Sequence, residues 1–334
     1  MNDKKLGTRK ILKSIRRADK TLRKKFPILK HQNEIGFTLF FISILGMITS
    51  GLLYGTGILP FWVCIPLTAF FASILHEIEH DLIHSLYFPK NQLMYNLMMF
   101  GVWVFRGNTI SPWYRKELHL YHHKYSGQTV DLEERLIGNG IKYGWKRILV
   151  MIDGTLSLII QERNLKKEVP IFDKWKLVRS SVPFLFIFYF LWYNFLGLNL
   201  LLFFSEIFEL TFFSKILEIA NIPTLNLIAV VYLIPNYIRQ VSIQIVSSNM
   251  HYYEDVDGLV EQTQVLNPWF LIPFQFFCFN FGATHGIHHF IVNQPFYLRQ
   301  LSSKLVLPVM KKNGVRFNDL GTFTRANRYK PIVN

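Results

Sequence analysis

Ten of the chain's 11 histidines stand at four places in the sequence. The first is His76-Glu77-Ile78-Glu79-His80, with His84 four residues on; the second is His119-Leu120-Tyr121-His122-His123; the third is His285-Gly286-Ile287-His288-His289. His251 stands by itself in Ser248-Asn249-Met250-His251-Tyr252-Tyr253-Glu254. On helices, His76, His80 and His84 (i, i+4, i+8) share one face, and so do the histidines of each HxxHH box (i, i+3, i+4). Neutral imidazole is the commonest protein metal ligand and suits iron, zinc, copper and nickel. Adjacent histidines on a helix point about 100° apart, so an HxxHH box can serve two metals at once. The eight histidines of the three boxes exceed the three or four protein ligands of one zinc ion and fit two metals with several ligands each. His84 and His251 are further candidate ligands, and Asn249 is a candidate that reaches a metal through water. His31 lies apart and reads as an ordinary hydrogen-bonded residue.

A metal-bound imidazole usually donates its other N–H to a carboxylate or carbonyl. Glu77, Glu79, Asp81, Glu117, Glu254, Asp255 and Asp257 stand near the clusters and are candidates for that role; a solvated rim is the alternative. Cys64 and Cys278 are too few for a disulfide framework, a Cys-type zinc site or iron–sulfur ligation.

The elements that must position these residues are apolar. The chain has 334 residues, half of them hydrophobic and only 18% charged, against about 25% charged in soluble domains. That excludes a disordered chain and argues against a soluble globular enzyme. Residues 36–59 carry no charge, and as a helix they would be roughly 36 Å long, enough to span a bilayer. A second uncharged run, 60–75, leads directly into His76; a third covers 181–204; a fourth covers 222–238, with a helix extending toward Ser248. Residues 93–105 and 265–283 read as shorter interfacial or re-entrant pieces, tolerable where protein buries them. Residues 148–160 are apolar but interrupted by Asp153. Ser111-Pro112 reads as an N-cap with proline at the first helical position, starting the helix of the second box.

Four spans sort the 37 Lys and Arg residues. Residues 1–35 hold 12, residues 87–180 hold 15 and residues 239–334 hold 9, while the opposite side has only Lys215, beside Glu206, Glu209 and Glu218. By the positive-inside rule both termini, the large loop and all ten clustered histidines face the cytoplasm. The net charge of +15 then marks membrane orientation, and nucleic acid is not expected as a partner. In the basic tail, Ile11, Ile15, Leu22 and Phe26 recur at helical spacing. This predicts an amphipathic helix lying on an anionic membrane face, with a solvated tail as the alternative.

The order HxxxH, HxxHH, HxxHH beside four spans resembles the membrane fatty acid desaturase and hydroxylase superfamily. The resemblance covers about residues 36–292, and it is the three boxes together that are specific. It implies an all-α integral membrane fold with a cytoplasmic helical cap. Residues 1–35 form the basic amphipathic segment, 36–292 the di-iron domain and 293–334 its cytoplasmic C-terminal segment. It further implies two iron ions held by His76, His80, His119, His122, His123, His285, His288 and His289, with His251 or Asn249 in the place of the family's extra ligand. A reduced iron pair can activate O2 to break an unactivated C–H bond, which acid–base groups cannot do. The implied activity in lipid and fatty acid metabolism is desaturation of a fatty acyl chain. The alternative is hydroxylation of an alkane, fatty acyl, sterol or carotenoid-type substrate. No His-Pro-Gly-Gly motif marks a fused cytochrome b5, so a separate ferredoxin, rubredoxin or cytochrome b5 is expected as electron donor. Phe100, Trp103, Trp113 and Phe281 stand near the boxes, but ordinary packing explains them equally well.

Two rivals follow from the same residues. His76-Glu77-Ile78-Glu79-His80 also matches the HExxH motif of zinc proteases, but a protease needs one further ligand and leaves two boxes unexplained. On the desaturase reading Glu77 supports a histidine and does not activate water. A non-enzymatic haem carrier or metal transporter would place its polar groups nearer the bilayer midplane, where these spans have few.

Overall fold

A computed structural model describes residues 3–209 and 221–330. Among the described residues the fold is all-helical, with only isolated β-bridges. Helix α1, Asp3–Lys25, opens the chain. The hairpin α2 (Gln32–Gly55) and α3 (Phe61–Ile83) follows. Six shorter helices come next: α4 Gln92–Phe105, α5 Pro112–Tyr125, α6 Leu132–Leu136, α7 Trp145–Ile152, α8 Gly154–Glu168 and α9 Lys174–Ser181. Helices α10 (Phe184–Ile207) and α11 (Ile222–Met250) complete a set of four that are long and apolar enough to cross a membrane. The chain ends with α12 (Ile272–Phe277), α13 (Phe281–Phe290) and α14 (Phe296–Lys312).

All four expected spans form. The second and fourth run beyond their uncharged stretches, to Ile83 and Met250, so each carries polar residues at the end that bears or approaches histidines. Asp153 does interrupt the apolar run 148–160: its carboxylate caps α8 by accepting from Thr155 N and Leu156 N, which ends α7 there. The expected loop residues Lys215 and Glu218 lie outside the described residues.

The spans differ in how much protein covers them. Of the most apolar stretch of α10, 17% is buried, against 56% for α3. Every residue of α3 from Ala72 to Ile83 is buried, so its charged residues must find partners inside the protein. Arg299 of α14 donates to Glu77 at 3.0 Å and to Asp81 at 3.2 Å. Asp81 also accepts from Tyr87 Oη and the Phe296 amide. These bonds tie the histidine-bearing end of α3 to α14.

The basic tail is helical and amphipathic, but its apolar stripe meets protein rather than lipid. Ile11 and Ile15 are fully buried, packed with Ala18 against Val306, Met310, Val260 and Ile287. Residues at i and i+4 make one narrow stripe, and α14 supplies a matching apolar face. Phe26, beyond the stripe, is exposed.

Candidate metal centre

Four elements deliver the histidines. The C-terminal end of α3 carries His76 and His80, with His84 as its C-cap. Helix α5 carries His119, His122 and His123, and starts at Pro112 as the Ser111-Pro112 pair predicts. His251 is the C-cap of α11, and α13 carries His285, His288 and His289. Gly282 lets α13 sit close: a Cβ there would stand 2.2 Å from the Leu266 carbonyl oxygen.

The rings converge as two adjoining groups. One nitrogen from each of His80, His84, His119 and His288 lies within 4.8 Å of the others, and the same holds for His122, His251, His285 and His289. His123 belongs with the first group, its Nε2 lying 3.1 Å from that of His119 and 2.9 Å from that of His288. In the second group, His289 Nε2 lies 3.1 Å from His251 Nε2 and 3.2 Å from His285 Nε2. The ring centroids of His123 and His289 are 5.2 Å apart, so the groups adjoin.

The outer ring nitrogens identify the tautomers. His122 Nδ1 donates to Asp131 at 2.7 Å and His119 Nδ1 to Glu133 at 2.8 Å. His251 Nδ1 donates to the Ser247 carbonyl at 3.0 Å and lies 3.2 Å from Glu134. His289 Nδ1 meets Gln262 Oε1 at 3.2 Å. Each such bond leaves Nε2 as the nitrogen available to a metal, and Nε2 atoms stand about 3 Å apart in the pairs His119–His123, His123–His288, His251–His289 and His285–His289. Two ligands of one ion, at bonds of about 2.1 Å and angles of about 90–110°, stand about 3.0–3.4 Å apart. The rings are therefore spaced as ligands around cations. The buried Nε2 atoms of His80 and His84 have no hydrogen-bond partner, and a metal ligand needs none.

Protonation points the same way. Burial, with neighbouring His119 and Arg299, pulls His84 down to about 2. Burial also holds His123, His285, His288 and His289 well below the usual range, and brings His251 to about 3. His122 is the exception: burial opposes its charge, but Asp131, Glu134 and Glu133 outweigh it and raise it to about 10. The carboxylates that favour a proton there also favour a metal cation on Nε2.

The two groups contain eight of the ten clustered histidines, including His84 and His251, and His123 adjoins the first. His76 lines the cavity beside them with His80, His119 and His285. Asn249 is held elsewhere, its amide donating to the Ile245 carbonyl and its Oδ1 accepting from Arg147 at 3.3 Å.

The seven candidate carboxylates hydrogen-bond to other partners, although Asp81 also lies 3.9 Å from His80 Nδ1. Glu77 and Asp81 hold Arg299, and Glu79 holds Arg106 and Arg115. Glu117 pairs with Lys176, Glu254 with Arg328 and Asp257 with Lys4, while Asp255 accepts backbone amides of Tyr329 and Lys330. On α3 the histidine face and the acid face diverge, because residues one apart point about 100° away from each other. The imidazole partners come instead from Asp131-Leu132-Glu133-Glu134, eight to eleven residues after His123. The sequence signal was an Asp N-cap followed by paired acids just past the second box: Asp131 caps α6 and so turns its acids back toward α5.

Beside the histidines lies a cavity of about 580 Å³, lined by rings of both groups, three arginines and an apolar wall from α8 to α11. Of the four aromatic residues noted near the boxes, Phe281 lines it. The fatty acid desaturase family model matches residues 56–321, a stretch that contains all ten clustered histidines. No curated protein matches the sequence. Family match, four spans and paired histidine groups agree: the chain is an integral membrane protein that belongs to the fatty acid desaturase family.

Proposed function

We propose that this protein oxidises an unactivated C–H bond of a lipid with O2, through two iron ions, and that the reaction is desaturation of an acyl chain. The observation that carries this reading is the pair of adjoining histidine groups opening on an apolar cavity. One ion takes His80, His84, His119, His123 and His288; the other takes His122, His251, His285 and His289, with His76 next to them. When bound, such a pair supplies the electrons that activate O2. The chain's own residues do the rest. Asp131, Glu133 and Glu134 hold imidazole tautomers, and the Leu158, Leu185 and Ile243 side chains exclude water from the cavity. Both termini and the histidine cap face the cytoplasm, where the basic surface attracts an acidic electron carrier such as a ferredoxin, rubredoxin or cytochrome b5.

Hydroxylation uses the same donor set and differs in where the chain lies. Expression in a host lacking the pathway, followed by mass spectrometry of its lipids, separates the two. Loss of two hydrogens is the expected product, and gain of one oxygen reassigns the reaction to hydroxylation. Purified protein is expected to hold about two iron ions per chain; a single zinc ion with protease activity would overturn the reading.

A further inference from the structure

The cavity beside the histidines carries a charge imbalance that the metal groups do not use. Arg106, Arg115 and Arg239 all line it, and Arg106 and Arg239 are 0% and 2% exposed. Glu79 pairs with both Arg106 and Arg115. Glu133 and Glu134 also line the cavity, but Glu133, 4.0 Å from Arg115, is committed to His119, and Glu134 stands beside His251 and His122. Among the described residues Arg239 has no carboxylate partner; its guanidinium donates to Asn108 Oδ1 at 2.6 Å. Its Nε is buried without an acceptor, as are Nε and Nη2 of Arg106. A guanidinium taken out of water is strongly unfavourable unless an anion meets it.

The surrounding loop is held in place for such a task. Tyr232 Oη accepts from the Gly107 amide at 2.9 Å and donates to the Val104 carbonyl at 2.6 Å. Asn236 donates to the Phe105 carbonyl, and Asn108 donates back to the Asn236 carbonyl. A Cβ at position 107 would stand 2.2 Å from Tyr232 Oη, so glycine is required for this approach. Much of the remaining lining is apolar, and Val182, Phe186 and Phe190, at the start of the span α10, are exposed. The cavity thus offers a buried cationic end and an apolar side that reaches the lipid-facing surface.

We infer that Arg106, Asn108 and Arg239 bind the carboxylate of a free amphipathic acid, with its chain running along the apolar lining toward the bilayer. The identity of the tail rests on the lipid-oxidation reading; the anionic head rests on the arginines alone. The substrate is then the acid itself, not its ester or thioester.

The test is equilibrium binding of radiolabelled palmitate, methyl palmitate and hexadecyl phosphate to the full-length, iron-loaded protein under anaerobic conditions, without turnover. Palmitate is expected to bind about tenfold or more tightly than its methyl ester, the scale of a charge-assisted hydrogen bond. Arg239→Gln is expected to bring that ratio to about one with iron content unchanged, and Arg239→Lys to restore part of it. An ester that binds within about twofold of the acid, a preference that survives Arg239→Gln, or hexadecyl phosphate outcompeting palmitate would overturn the assignment. If Arg239→Gln does not fold, the wild-type ratio and its reduction in Asn108→Ala decide. Acid preference in a protein that oxidises no lipid would leave this site standing and remove the oxidation reading; lipid oxidation without acid preference would do the reverse.

Discussion

The two histidine groups contain the same donor atoms but are supported differently. In the group of His122, His251, His285 and His289, the outer nitrogens of three rings meet Asp131, the Ser247 carbonyl beside Glu134, and Gln262. In the group of His80, His84, His119 and His288, among the described residues only His119 has such a hydrogen-bond partner, Glu133, which is partly exposed and shared with Arg115. His80 and His288 keep buried Nδ1 atoms without partners. The second group is therefore oriented by hydrogen bonds and negative charge, and the first by the packing of α3 against its neighbours. Hydrogen-bonded rings keep their geometry when the metal leaves; packed rings keep it only while the helix stays in register. The first group is expected to be the more labile.

Removing a ring should have the largest effect and should separate the groups. His288→Ala takes a ligand from the first and His289→Ala from the second. Each is expected to reduce lipid oxidation by about a thousandfold or more and to lower iron content by about one ion per chain. Elemental analysis beside a product assay checks both; full activity in either variant would remove that residue from the centre.

Next in size is Arg299→Met, which leaves the buried carboxylates of Glu77 and Asp81 without their shared cation. Breaking a buried pair from one side costs about 3–5 kcal/mol, seen as a lower unfolding temperature. Because the loosened element is α3, iron should be lost from the first group before the second. Simultaneous loss from both would show that packing supports them equally.

The carboxylates give a smaller and more selective effect. Asp131→Asn keeps the shape but removes the charge behind His122, and loss of such a partner costs about 10–100-fold in metal affinity. Glu133→Gln should cost less, since its carboxylate is part-exposed and Arg115 keeps Glu79. Chelator titrations of the two variants rank them, and a larger loss in Glu133→Gln would reverse the comparison.

The grouping of the rings was legible in the sequence because helical spacing alone places them on shared faces: i, i+3, i+4 on α5 and α13, and i+4 steps on α3. The spans were legible because uncharged runs have few alternatives in a bilayer. The supporting carboxylates were not. Glu77, Glu79 and Asp81 are next to histidines in sequence but are held by arginines in space, whereas Asp131, Glu133 and Glu134 come from a turn whose direction depends on the Asp131 cap. The partner of Ile11 and Ile15 was equally hidden, since an apolar stripe does not say whether lipid or protein covers it. The imbalance of Arg106 and Arg239 appears only once three distant segments share a cavity wall.

Ser247→Ala is the finest probe of the comparison. His251 Nδ1 is 3.0 Å from the Ser247 carbonyl and 3.4 Å from the Ser247 hydroxyl. At 3.4 Å the hydroxyl lies beyond the usual range for such a bond, while the carbonyl is well within it. The carbonyl belongs to the last turn of α11 and stays in place when the side chain is cut, and Glu134 remains 3.2 Å from the same nitrogen. Removing the hydroxyl should therefore change iron affinity by less than about threefold, equivalent to well under 1 kcal/mol. A loss as large as that of Asp131→Asn would mean that the hydroxyl, not the backbone, fixes the His251 tautomer. The second group would then owe its order to side chains alone and lose the rigidity that sets it apart from the first.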